Sequence, residues 1–113
     1  MVEHRITDGK RIAQLLASEL TGLSEGVLSD VDLAAVNRDA EPTENGTLAY
    51  QITYEDEPVA DVFLFPSSVE IRLRGGRRWP ETAALREDDE RLRIAYGAAV
   101  KRAVDAIRQV VEP

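Results

Sequence analysis

Between Leu48 and Leu73 the chain changes face at every second residue and reverses twice on very short connections. Leu48, Tyr50, Ile52 and Tyr54 alternate with Ala49, Gln51 and Thr53, and Glu55-Asp56-Glu57-Pro58 then leads into the apolar run Val59–Phe65. Pro66-Ser67-Ser68 leads in turn into Val69, Ile71 and Leu73, which alternate with Glu70, Arg72 and Arg74. Connections this short cannot carry the crossover that parallel neighbours require, so the three segments read as an antiparallel meander.

The flanks are read against that meander. Ile12, Leu15, Leu16 and Leu20 follow Asp8 at helical spacing and stop before Gly22, which predicts a helix over about 8–21. Val27, Val31, Leu33 and Ala35 keep an imperfect period of two, predicting a first strand over 27–36, and Arg38–Gly46 has the composition of a loop. After Gly75-Gly76 and the irregular Arg77–Leu85 stretch, Glu87-Asp88-Asp89-Glu90 leads into Leu92, Tyr96, Ala99, Ala103, Ile107 and Val110. That spacing predicts a second helix over about 88–111, with acids where the helix dipole favours them and Lys101, Arg102 and Arg108 toward the other end. The expected order is α-β-β-β-β-α.

The 113 residues suit one domain spanning 1–113, in which folding hides roughly two-thirds of the unfolded surface. Four strands at ~4.8 Å spacing make a sheet some 19 Å wide, and two helices of ~10 Å diameter cover one face of it. The expected fold is therefore α+β and two-layered: a four-stranded antiparallel meander with both helices on one face and the other face open.

Strand 59–65 is apolar on both sides, with Ala60, Val62 and Leu64 on one and Asp61, Phe63 and Phe65 on the other. An unpaired carboxylate under the helices costs several kcal/mol, whereas an outward Phe forgoes ~1.5–3 kcal/mol of burial that a partner can restore. Phe63 and Phe65 are therefore expected to point outward beside Arg72 and Arg74, as candidate partner-binding residues. The rival register makes both phenylalanines core and pairs Asp61.

A second candidate is the stretch Arg72–Trp79, in which Arg72, Arg74, Arg77 and Arg78 occur without an acid, while residues 25–61 hold ten acids against Arg38 alone. Arg77, Arg78 and Trp79 are candidate anion-binding residues, since guanidinium groups grip phosphate and an indole stacks on a base. Solvated arginines and a Trp plugging the end of the sheet are the structural alternative. Ile71-Arg72-Leu73-Arg74-Gly75-Gly76 is similar to the tail of ubiquitin, but conjugation of that kind needs a free C-terminal Gly-Gly, and thirty-seven residues follow here. The meander between two helices looks like the plan of double-stranded-RNA-binding domains, which carry a basic N-terminus on their second helix. Here Glu87–Glu90 is expected at that end, and there is an extra first strand, so neither fold nor function is carried over.

Cys is absent and the lone His4 stands beside the N-terminus, which removes thiolate chemistry, Cys-ligated metals and any Ser-His-Asp triad. Glu55-Asp56-Glu57 and Glu87–Glu90 lack calcium-loop spacing. No metal, cofactor or catalytic residue is assigned. The 21 acids against 14 bases give a net charge of −7, and 12 of the bases are Arg. That balance points to the cytoplasm of a salt-accumulating halophile, where screening relieves carboxylate repulsion; a GC-rich mesophile shares the Arg bias. The first residues carry no secretory signal and no apolar run reaches the ~20 residues of a membrane span, so a cytoplasmic domain is expected. The leading functional expectation is a non-catalytic interaction domain, a homodimer or a partner's dock, using its open sheet face. A nucleic-acid or anion binder through Arg72–Trp79, or a small enzyme without a recognisable motif, are the alternatives.

Overall fold

The computed structural model describes residues 8–22 and 30–111. His4 and residues 27–29 of the expected first strand lie outside them. The chain is an α+β domain in two layers. Helix α1 (Gly9–Gly22) is followed by strands β1 (Val31–Ala34), β2 (Thr47–Tyr54), β3 (Glu57–Phe65), β4 (Ser68–Leu73) and β5 (Arg91–Ile94), then by helix α2 (Val100–Val111) behind one 3₁₀ turn. All neighbours are antiparallel and the sheet order is β1-β2-β3-β4-β5.

The fifth strand corrects the sequence reading. A helix was expected over 88–111, but Arg91–Ile94 extends the sheet and α2 begins only at Val100. Arg91-Leu92-Arg93-Ile94 alternates as β4 does, and Leu92 and Ile94 enter the core opposite Ile71 and Val69. The acids that precede it cap a turn rather than a helix: the Asp88 carboxylate accepts the backbone N–H groups of Glu90 and Arg91 at 2.9 and 2.8 Å. The first turn of α2 carries Lys101 and Arg102 instead, so the departure from the double-stranded-RNA-binding plan lies in the five-stranded sheet and not in an acidic helix start.

Helix α1 starts where Asp8 accepts the Lys10 and Arg11 amides at 2.9 and 3.3 Å. Its stripe of Ile12, Leu16 and Leu20 packs beside Ala103, Val104 and Ile107 of α2 over the inner face of the sheet, made of Ala60, Val62, Leu64, Val69, Ile71, Leu92 and Ile94. A two-residue turn at Glu55-Asp56, both at positive φ, reverses β2 into β3, and such turns match the strand twist. Pro66-Ser67 reverses β3 into β4.

The β5 edge of the sheet is covered. Leu85 and Arg86 run along the outside of β5, where the Leu85 carbonyl accepts the Arg93 amide at 3.0 Å. On short β1 the Asp32 carboxylate takes the Leu33 amide at 2.8 Å, which blunts that edge against further strands. No helix among the described residues is long and apolar enough to cross a membrane.

Candidate interaction face

Five strands with both helices on one side leave the opposite face of the sheet without a helix over it among the described residues. The register places Phe63 opposite Glu70, Phe65 opposite Ser68, and Asp61 opposite Arg72 on that face. Phe63 and Phe65 thus point outward with Arg72, and Asp61 is not under the helices. Asp61 accepts Arg74 at 3.1 Å and Gln51 at 3.1 Å, so the strand satisfies its carboxylate without burying it in the core.

The face is not a bare apolar patch. The Arg72 guanidinium stands 4.3 Å from the Phe63 ring centroid and the Arg93 guanidinium 4.6 Å from that of Phe65, leaving both rings half-buried. Between these stacks lies Glu70, on the outward side of β4 yet only 1% exposed. Its carboxylate accepts Arg72 Nε at 2.7 Å and Arg93 Nη2 at 3.1 Å. Arg93 also donates to Ser68 Oγ at 2.6 Å and to Glu87 at 3.0 Å. One carboxylate therefore holds two guanidinium groups over two phenylalanine rings. Sequence reading missed Glu70, Arg93 and Glu87, because the expected helix took Arg93 off the sheet; the alternation of residues 91–94 is the signal that finds it.

Arg91 lies opposite Arg72, and its Nε donates to Asp88 at 2.7 Å. That bond and the two backbone amides hold the Asp88 carboxyl below its usual range, and the same bond raises Arg91. The arginines of the face are thus each matched: Arg72 and Arg93 by Glu70 and Glu87, Arg74 by Asp61, Arg91 by Asp88.

The anion-binding candidates fare differently. Trp79 is 3% exposed, with its indole N–H donated to the Glu90 carbonyl at 2.8 Å and its amide to the Asp89 carbonyl at 2.8 Å. It plugs the end of the sheet and cannot serve as a stacking platform. Arg77 folds back onto the Arg74 carbonyl at 3.1 Å and lies 3.9 Å from Glu57, while Arg78 is exposed. Through Arg74–Asp61 and Arg77–Glu57 the basic stretch leans on the acidic one, so the charge separation along the chain is partly undone in space. Among the described residues no three His, Cys, Asp or Glu side chains stand close enough to hold a metal ion.

A family model spans residues 1–113 of this chain. The chain belongs to DUF7993, a family of unknown function. No curated protein and no solved structure matches it. DUF7993 membership brings no ligand or reaction with it, so the open face has to be read from its own chemistry.

Proposed function

We propose that this domain is a non-catalytic interaction module that pairs with a second copy of itself, open sheet face to open sheet face, in the cytoplasm of a salt-accumulating cell. The observation that carries the reading is electrical. Arg72, Arg74, Arg91 and Arg93 meet Asp61, Glu70, Glu87 and Asp88 on the part of the open face built by β3, β4 and β5, which is balanced in a chain of net charge −7, while Asp32 of β1 adds one further carboxylate at the edge. Two such faces approach with less of the repulsion that opposes contact between acidic surfaces. Across a twofold axis the alternating signs are self-complementary, with the Arg-covered phenylalanines as central anchors and the outer ion pairs as a polar rim. The covered β5 edge disfavours strand addition on that side of the sheet.

Sedimentation equilibrium in 2 M KCl tests this directly. A homodimer is expected for the wild type and a folded monomer for Phe63→Ser, because Phe63 belongs to the face and not to the helix-covered core. A monomeric wild type contradicts the proposal. An unfolded Phe63→Ser chain shows that Phe63 acts in folding, where removal of a buried Phe costs ~3–5 kcal/mol. Nucleic-acid binding is disfavoured because the indole is buried and Arg72, Arg74 and Arg77 each meet a carboxylate, leaving Arg78 as the exposed guanidinium beside it.

A further inference from the structure

On the side of the sheet away from the open face, a cleft of about 440 Å³ lies between the first half of α1 and the β1–β2 corner. That volume is within the roughly 300–1,000 Å³ of small-ligand sites. The cleft exists because small side chains stand where larger ones would fill it. Ala13 and Ala17, one helical turn apart on α1, line it together with Ala40 and Ala49.

The charges around the cleft run against those of the molecule. Among the described residues its charged lining consists of Lys10 and Arg38, both basic, with no carboxylate, although the chain carries a net −7. Arg38 is exposed, and among the described residues Lys10 meets the largely exposed Glu41 at 3.4 Å. The back wall is apolar in effect, because the Tyr50 hydroxyl is spent on the Ala13 carbonyl at 2.7 Å and offers nothing to a polar tail. At the mouth the backbone is strained: Ala35 holds φ at 51°, a region Ala rarely enters, and the turn leaves Val36 51% exposed on the cleft's rim. Strain of this kind persists where the surrounding structure enforces it, and ligand clamps are one such place.

We propose that this cleft binds a small amphipathic carboxylate, its aliphatic tail on the alanine floor and its head group between Lys10 and Arg38. The site is independent of the pairing face, and either can fail without the other.

Calorimetric titration of the full chain with octanoate, below its micelle concentration, is compared with octanol and octylammonium. Octanoate is expected to bind about tenfold more tightly than either. Arg38→Gln is expected to weaken octanoate about tenfold while leaving octanol unchanged, the result of losing one charge contact and no apolar surface. Ala17→Leu keeps a good helix former on α1 and fills the cleft, so this variant is expected to keep its circular dichroism spectrum and to lose octanoate binding. Absence of octanoate binding by the wild type, equal binding of octanoate and octanol, or undiminished octanoate binding by folded Ala17→Leu overturns the proposal.

Discussion

A carboxylate with 1% of its surface exposed costs several kcal/mol when it stands alone, and Glu70 avoids that cost through two guanidinium partners and a position beneath their stacks. Glu70→Gln keeps the shape and removes the charge that holds Arg72 and Arg93. The loss of charged hydrogen bonds is expected to cost about 1–3 kcal/mol in urea unfolding, with both Arg–Phe stacks loosened. An unchanged urea midpoint would show that the stacks hold without it. Tyr50 gives the second residue-scale expectation. Burial pushes its phenol far above the ordinary value of ~10, so the folded state keeps the proton that the unfolded chain releases. The stability linked to Tyr50 is complete below pH ~10 and falls as the pH rises above it. Tyr50→Phe is expected to flatten that alkaline limb in thermal melts taken between pH 8 and 11, at the expense of the Ala13 hydrogen bond at neutral pH.

At the scale of elements, the strands that alternate cleanly and sit between short turns, β2, β3 and β4, were legible in the amino-acid order. So was the outward side of β3, because Asp61 made the other register costly. β5 was not legible by spacing alone. Leu92, Tyr96, Ala99 and Ala103 satisfy a helical stripe as well as Leu92 and Ile94 satisfy a strand, and four acids imitate a helix start when they in fact close a turn at Asp88. Only the pairing of Arg93 with Glu70 and of Leu92 with Ile71 decides between them, and both contacts span more than twenty residues of chain. The docking of α1 was equally hidden. Gly9 donates its amide to the Pro66 carbonyl at 3.2 Å, and a Cβ there would run into the Phe65 carbonyl, so the helix can meet the β3–β4 turn only through glycine. Gly9→Ala is therefore expected to destabilise by about 1–3 kcal/mol, as overpacking does. At the other end of the same helix a Cβ on Gly22 meets nothing among the described residues, and Gly22→Ala is expected to leave stability unchanged or raise it by up to about 1 kcal/mol. Equal effects at the two glycines in chemical denaturation would refute this account of the docking.

For the whole molecule the question is which electrostatic effect salt removes first. Added KCl screens the ion pairs of the open face as well as the repulsion among the remaining carboxylates, and the two have opposite consequences for stability. Distance decides between them. The Glu70, Asp61 and Asp88 pairs are direct hydrogen bonds at 2.7–3.2 Å that admit no ion between the partners, and Glu70 is buried, so they lose less than charges separated by solvent. The carboxylates behind the net −7 are spread over β1, the Arg38–Gly46 loop and the β2–β3 turn, and repulsion over such spans falls away once the screening length drops from ~10 Å at 0.1 M to ~3 Å at 1 M. Stability is therefore expected to rise with salt. The thermal midpoint should increase between 0.1 and 2 M KCl by more than KCl raises a protein of balanced charge, and at either salt concentration it should rise with protein concentration if the open faces pair, because dimerisation adds its own mass-action term. Calorimetric scans at two protein concentrations measure both. A midpoint that ignores KCl would mean that the contact pairs, and not the spread carboxylates, set the electrostatic balance of this fold.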